Sequence, residues 1–307
     1  MLPSLYKYCG FSKYVIEDLL MDGISLSLLS SFNDCYDSNV SFGDIEQQAK
    51  NEYEKDLEIS KAAGTFPCIS KEQWVQQITL EQEAYRGFNN DSHCMCLSED
   101  SHSTLMWSHY ADCNRGICIE YDFESIKNTP LYYALFPICY TSSPIDVYDF
   151  IRNKKGDYSI ELGVMISVLN KALCWAYEQE WRLVILNEAL RRKTEKYLRL
   201  SRIIQAKSIT LGQSFFDNFI PELSKTNVEE SFIQLKDLIS CANSKNIPLF
   251  QILPTQNSFD QSNRILLQCN DLQSFVNINQ LEQNFTLPYR GFLYASYWQH
   301  LGISKTE

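Results

Sequence analysis

Hydrophobic and polar positions alternate with two different periods along this chain. Strands are predicted by short apolar or alternating runs at residues 5–8, 24–28, 93–97, 117–121, 208–211 and 248–253. Residues 44–63 and 71–85 instead carry Glu and Lys at helical spacing, which predicts two helices with exposed outer faces. Interleaved strands and helices of this kind indicate an α+β fold with a mixed sheet.

A further strand is predicted over residues 178–185, and its polar face is unusual. Alternation with period two places Glu178, Glu180 and Arg182 on one face and Trp181 on the other, against the core. Two carboxylates with a guanidinium beside them can bind sugar hydroxyls and stabilise a developing positive charge, while the arginine keeps one carboxylate ionised. An exposed strand face with a cross-paired Glu and Arg is the alternative that the spacing leaves open.

A second polar cluster lies on a short helix predicted over residues 105–111. His109 and Tyr110 are followed there by Asp112 and Arg115, just before a glycine turn. Such a histidine is either a structural hydrogen-bonding group or a catalytic one, and the sequence does not decide between these roles.

A third polar cluster is the loop that carries Asn33, Asp34 and Asp37. Asn and Asp most often cap backbone amides in turns, and this is the first interpretation. The alternative is a loop that binds a ribose or a metal ion.

Two more helices are predicted, at residues 158–175 and 228–244, and the second lies between two strands in a β-α-β pattern. We therefore expect a main domain at residues 1–270, with a helical insertion at about residues 44–86. Residues 271–307 form a C-terminal extension that is expected to pack on it.

The composition and net charge of the chain limit the classes of protein to which it can belong. Hydrophobic residues make up 45% of the chain and aromatic residues 13%, which suffices for a packed core. The net charge of −11 provides no overall attraction for nucleic acid or anionic membranes. A local basic run could still bind an anion, although such runs are usually solvated surface. This run comprises Arg191, Arg192, Lys193, Lys196, Arg199 and Arg202.

The ends and the cysteines of the chain indicate a cytoplasmic protein. Residues 1–10 lack the pattern of a signal peptide, and no apolar run is long enough for a membrane span. The 11 cysteines are therefore expected to be reduced and mostly buried. Paired ligand spacings typical of zinc are missing between residues 93 and 118, although His and Cys are frequent there, so no metal is expected.

Five motifs together resemble those of a large, uncharacterised bacterial family often found beside mobile and phage-defence genes. The resemblance covers about residues 5–266. The motifs lie at residues 5–8, 32–37, 97–99, 105–116 and 177–182.

The chain is also remotely similar to the ADP-ribosyltransferase superfamily. Lys7, Ser98 and Glu180 match, in chain order, the basic, Ser or Tyr, and Glu positions of that superfamily, and residues 178–180 have its Glu-x-Glu form. The resemblance implies a mainly antiparallel sheet and NAD as substrate, with Glu180 stabilising an oxocarbenium-like transition state. Lys7 departs from the usual Arg or His.

The working hypothesis is an NAD-consuming ADP-ribosyltransferase or NAD glycohydrolase, such as a toxin-like phage-defence effector. Its acceptor would be a protein or nucleic acid, and a neutralising partner could restrain it. The implied catalytic residues are Glu180, Glu178 and His109. The implied nucleotide contacts are Lys7, Tyr8, Asn33, Asp34, Ser98, Tyr110, Arg115 and Arg182.

Two alternatives remain open. One is a magnesium-dependent nuclease or phosphoesterase that uses Asp34, Asp37, Glu178 and Glu180 as ligands. The other is a nucleotide-sensing module without turnover.

Overall fold

A computed structural model describes residues 2–152, 159–186, 197–219, 227–254 and 261–267. The strands are β1 (Leu5–Cys9), β2 (Ile24–Leu28), β3 (His93–Ser98), β4 (Ile117–Tyr121), β5 (Leu135–Pro137), β6 (Cys139–Thr141), β7 (Asn170–Ala172), β8 (Glu180–Ile185), β9 (Tyr197–Leu200), β10 (Ala206–Leu211), β11 (Leu249–Pro254) and β12 (Gln261–Leu267). The α-helices are α1 (Lys13–Leu20), α2 (Ile45–Ala63), α3 (Lys71–Asn90), α4 (Thr104–Tyr110), α5 (Tyr148–Arg152), α6 (Ser159–Val168) and α7 (Val228–Ser244). Short 3-10 helices lie at Leu29–Ser31, Phe123–Ile126, Pro130–Ala134, Leu173–Glu178 and Phe215–Phe219.

One large sheet of described strands organises the fold. Its main path runs β12-β11-β10-β4-β1-β3-β2-β9, with β8 and β5 attached to it through β3. Within this sheet the pairings are antiparallel except for the parallel pair of β10 and β11, which the β-α-β pattern had predicted. The α+β class with a mixed, mostly antiparallel sheet is therefore confirmed.

The sheet divides at β3. Along one edge β3 pairs with β8 from His93 to Ser98. Its other edge is shared, because β2 pairs with the His93 end and β1 pairs with Ser98 at the opposite end. The strands β1 and β2 thus separate from each other along β3, and the space beside this fork is where the polar clusters meet.

The two faces of the sheet are covered differently. The larger hydrophobic core includes Leu5 and Ile119 from the strands and Leu238 from α7. The opposite face carries a smaller cluster in which Tyr8 packs against Trp107 of α4, with ring centroids 5.2 Å apart. The short helix α4 therefore lies on the face that also holds Glu180 of β8.

A close approach of backbone fixes α4 against the sheet. The N–H of Gly116 donates to the carbonyl of Ala111 at 2.7 Å, which closes the turn between α4 and β4. A Cβ atom at residue 116 would lie 2.2 Å from the carbonyl oxygen of Cys9 in β1. Only glycine fits there, so the sequence signal for a glycine turn has a steric origin.

The helices α2 and α3 contribute to a separate, smaller hydrophobic core. Asp44 caps α2 by accepting from the N–H of Gln47, and Ser70 opens α3 with a capping box. The two helices pack with α5 around Phe42 and Ile78, apart from the main core. The helix α3 also holds the chain before α2, since the Asn89 amide donates to the Ser38 carbonyl at 3.0 Å.

The prediction of one helix over residues 158–175 is wrong. The helix α6 ends at Val168, and the chain continues into β7 and then into the 3-10 helix Leu173–Glu178. The side chain of Asn170 donates to the carbonyl of Cys139, and β7 pairs with β6 instead of extending the helix. Tertiary pairing with β6 therefore overrides local helix propensity here, and it turns Lys171 towards the site.

Among the described residues no helix is both long and apolar enough to cross a membrane. The expected C-terminal extension at residues 271–307 lies outside the described residues.

Candidate functional site

A cavity of about 480 Å³ opens beside the fork in the sheet. Residues from β1, β2, β3, α4 and β8 contribute to its wall. The lining comprises Tyr6, Tyr8, Ser27, Ser31, Phe32, Asn33, Asp37, Cys96, Leu97, Ser98, Met106, His109, Tyr110, Lys171, Glu178, Glu180, Arg182 and Tyr197. The three polar clusters predicted from the sequence therefore converge on one cavity.

The segment with the two glutamates is not a strand throughout. Gln179 has a left-handed backbone with φ of 45°, which breaks the alternation. Glu178 ends the preceding 3-10 helix, and β8 begins at Glu180. Nor is this an exposed face, because Glu178 is 2% exposed, Glu180 4% and Arg182 0%.

Lys171 brings the carboxylates together, and the sequence analysis missed it. Its ammonium nitrogen lies 2.5 Å from Glu178 Oε2, 2.8 Å from Glu180 Oε2 and 3.6 Å from Asp37 Oδ2. Burial lowers the pKa of Lys171, but the charges of Glu180, Glu178 and Asp37 together raise it, so the ammonium stays protonated. A lysine within the apolar run of residues 164–176 was the available signal, since a buried lysine requires partners.

Arg182 is the second buried cation. Its guanidinium donates to both oxygens of Asp37, at 2.7 and 2.6 Å, and its Nε donates to Glu180 Oε1 at 2.7 Å. Further donation goes to the Ser38 hydroxyl at 2.9 Å and the Val168 carbonyl at 2.6 Å. Only the planar guanidinium of an arginine can supply this set of donors, which explains why residue 182 is an arginine and not a lysine.

The two glutamates have pKa values displaced in opposite directions. Burial raises the pKa of Glu180, but the charges of Arg182 and Lys171 outweigh it and lower the value to about 2. Burial is the larger effect at Glu178 and raises its pKa, although Lys171 and the Tyr110 hydroxyl oppose this. Glu180 is thus a permanent anion, and Glu178 is the carboxyl better suited to exchange a proton.

Stability is expected to depend on pH through Glu180. Between its usual pKa of 4.5 and the folded value of about 2, the unfolded chain binds a proton that the folded protein does not. The contribution, about 3 kcal/mol, is present above pH 4.5 and is lost as the pH falls towards 2. Urea unfolding at pH 6 and pH 3 should therefore show a smaller pH dependence for Glu180→Gln than for the parent. Equal dependence in the two proteins would contradict this.

Two polar residues of α4 line the cavity, beside the apolar Met106. The Tyr110 hydroxyl donates to Glu178 Oε1 at 2.6 Å, and burial, strengthened by that carboxylate, raises the pKa of Tyr110. His109 is exposed and lies at the rim. The helix thus places Tyr110 on the acidic cluster, whereas His109 is positioned to contact a ligand from outside it.

The loop before α2 divides its polar residues between two tasks. Asp34 accepts from the N–H of Tyr36 at 2.9 Å, so it caps a turn and does not line the cavity. Asn33 lines the cavity from an exposed position, and Asp37 joins the buried charges. The turn-capping interpretation is therefore confirmed for Asp34, whereas Asn33 and Asp37 lie at the cavity wall.

Besides Asp34, two predicted nucleotide contacts do not line the cavity. Lys7 lies on the other face of β1 from Tyr6 and Tyr8, and its ammonium donates to the Ser25 carbonyl at 3.2 Å. Arg115 pairs with the Asp112 carboxylate at 3.5 Å, away from the lining residues.

Ser98 lines the cavity but is fully buried. Its hydroxyl donates to the Glu178 carbonyl at 2.6 Å, so it positions the backbone of that glutamate. Tyr8 also lines the cavity, with its hydroxyl bound to the Asp100 carbonyl at 2.6 Å. The basic, Ser and Glu positions implied by the remote resemblance therefore do not form one constellation, because Lys7 is absent from it.

The prediction for the cysteines needs a correction, whereas Arg199, a described member of the basic run, agrees with the surface interpretation. Five of the ten described cysteines are exposed, so the expectation of mostly buried thiols is wrong; these are Cys35, Cys68, Cys113, Cys139 and Cys174. Arg199 pairs with Glu17 at 2.7 Å and Asp18 at 2.8 Å and is not available to an anion. Residues 191–196 of the basic run lie outside the described residues.

A metal site finds no support in the described part of the chain, where no group of three or more His, Cys, Asp or Glu side chains could hold an ion. The Lys171 ammonium and the Arg182 guanidinium already pair with Asp37, Glu178 and Glu180. Three of the four carboxylates that the magnesium hypothesis requires are thus paired with protein cations, and the fourth, Asp34, caps a turn.

A family model described as a protein of unknown function (DUF2971) matches residues 106–183. The matched segment runs from α4 into β8, so it contains Tyr110, Lys171, Glu178, Glu180 and Arg182. No curated protein and no solved structure matches the chain. The family likeness thus covers most of the charged cluster and leaves its reaction undefined.

Proposed function

We propose that this protein cleaves the bond between nicotinamide and ribose in NAD and transfers the ribosyl group to water or to a macromolecular acceptor. The observation that carries the proposal is the pair of buried glutamates on one cavity, Glu180 held ionised and Glu178 with a raised pKa. Enzymes commonly use two carboxyl groups in different environments, so that the ionised one stabilises a positive charge and the other transfers a proton.

Glu180 has the task of electrostatic stabilisation. When the bond between the ribose carbon and the pyridinium nitrogen breaks, its electron pair leaves with nicotinamide, which becomes neutral, and positive charge develops on the sugar. A fixed anion that needs no reorganisation lowers the energy of that charge. Arg182 and Lys171 hold the Glu180 carboxylate in place from two directions.

Glu178 has the task of proton transfer. When the oxygen of water or of an acceptor forms a bond to the ribose carbon, the proton on that oxygen passes to the Glu178 carboxylate. From there the proton passes to solvent. The Tyr110 hydroxyl and Lys171 orient this carboxylate by binding one oxygen each. His109 and Asn33 are exposed and lie at the rim of the same cavity.

The test is nicotinamide release from NAD by the full chain, with and without a cell extract that supplies an acceptor. The parent is expected to release nicotinamide without added metal. Release of ADP-ribose into solution would identify hydrolysis, and ADP-ribose attached to protein or nucleic acid would identify transfer. If NAD is neither bound nor consumed, the proposal is wrong; calorimetry with Mg²⁺ would then test the phosphoesterase alternative.

A further inference from the structure

Within the part of the chain that the structure describes, the charges on the cavity wall leave no unpaired lysine or arginine for a phosphate group. Among the described lining residues the cationic side chains are Lys171 and Arg182, against the carboxylates of Asp37, Glu178 and Glu180. Lys171 contacts all three carboxylates, and Arg182 contacts two of them. The wall therefore carries a net charge of about −1, taking His109 as neutral, which repels an anionic ligand.

The uncharged part of the wall suits a flat ring. Aromatic side chains from four parts of the chain surround the cavity, namely Tyr6, Tyr8, Phe32, Tyr110 and Tyr197. The faces of such rings attract cations, and Phe32 already does so with the Arg182 guanidinium, which lies 5.2 Å from its ring centroid. Aromatic rings combined with a net negative charge favour an aromatic cation over a neutral or anionic ring.

Resting on the proposed function, we infer that the cavity recognises the N-ribosyl pyridinium half of the dinucleotide, a cationic nucleoside, and makes no use of the phosphates. The positive pyridinium ring meets the aromatic wall, and the ribose hydroxyls meet the acidic cluster. Cleavage turns the ring into neutral nicotinamide, which the same wall holds less strongly, so the product leaves readily. The substrate class is thus wider than NAD and includes nicotinamide riboside.

The experiment compares three substrates with the full chain: nicotinamide riboside, nicotinamide mononucleotide and NAD. The value of kcat/KM for nicotinamide release is measured for each at low ionic strength, where charge effects are strongest. The riboside is expected to react with a kcat/KM within about tenfold of NAD. The mononucleotide, whose phosphate would be held close to the negative wall, is expected to be several-fold poorer than the riboside.

The outcomes separate this inference from the proposed function. Turnover of NAD with no turnover of the riboside would overturn the inference and leave the proposed function standing. Turnover of the riboside without turnover of NAD would support the inference and remove NAD as the donor. If none of the three is bound or cleaved, both fail.

A matched pair of variants at the rim tests the charge argument directly. Asn33 is exposed and lines the cavity, so Asn33→Lys adds a positive charge where a phosphate would pass. The ratio of kcat/KM for the mononucleotide to that for the riboside should rise roughly three- to fivefold, the effect of one unit charge at about 5 Å in water. Asn33→Gln, of similar bulk to lysine but uncharged, should leave the ratio unchanged. No rise in Asn33→Lys, or an equal rise in both variants, would overturn the inference.

Discussion

Glu180→Gln is expected to reduce nicotinamide release from NAD by roughly 10²–10³-fold, the loss usual when one electrostatic stabiliser is removed. The glutamine keeps the shape of the side chain but not the charge that opposes the developing positive sugar. Sequence reasoning alone expects this variant to fold almost as well as the parent. The structure changes that expectation, since both carboxylate oxygens are bound to buried cations.

The same variant should lose stability, up to about 3–5 kcal/mol, because Arg182 and Lys171 stay buried with less opposing charge. Activity is therefore measured at a temperature at which urea or thermal unfolding shows the variant to be folded. Glu99→Gln is the matched control: Glu99 is exposed, accepts from the Trp181 indole at 2.5 Å and does not line the cavity. It should keep parental turnover. A folded Glu180→Gln protein with parental turnover would remove Glu180 from the mechanism.

Arg182→Lys is expected to destabilise the fold by about 3–5 kcal/mol, although it preserves the charge. A lysine ammonium offers three donors around one atom, whereas Arg182 serves Asp37, Glu180, Ser38 and Val168 from a planar group. Some of these buried acceptors would lose their partner. The measurement is the free energy of unfolding in urea, from the transition midpoint and slope.

Arg86→Lys provides the comparison for this substitution. Arg86 is partly exposed on α3, where it pairs with Glu83 at 2.6 Å and donates once more, to the Val40 carbonyl at 3.1 Å, so the change should cost only about 1 kcal/mol. Similar losses in the free energy of unfolding at both positions would show that Arg182 contributes no more than an ordinary surface ion pair. In that case the sequence-based role of Arg182, simple support for the acidic strand, would be sufficient.

The position of Trp181 tests the prediction that was made from strand alternation. The alternation correctly put Trp181 on the other side of β8 from Glu180, where it packs against the main core, although it lies at the edge of that core and not inside it. The indole is only partly buried and reaches Glu99 near the surface. A change to Ala at this position is therefore expected to cost less than the roughly 3–5 kcal/mol of a buried tryptophan.

Local sequence signals determined most of the elements. The strands at residues 24–28 and 117–121 and the helix at residues 228–244 lie at the predicted bounds, since periodicity and flanking glycine or capping residues are encoded within a few positions. The same signals identified Glu178, Glu180, Arg182 and Tyr110 as a polar set that a core would not otherwise contain.

Only the tertiary structure decided how these residues meet. A left-handed Gln179 replaced the expected alternation, and pairing of β7 with β6 brought Lys171 to the acidic cluster. Asp37 reaches Arg182 across 145 positions of sequence. Such contacts depend on the balance between desolvation and ion pairing in a buried space, which no local pattern contains. The sequence thus identified most of the charged side chains that line the cavity, and the fold determined which of them pair with one another.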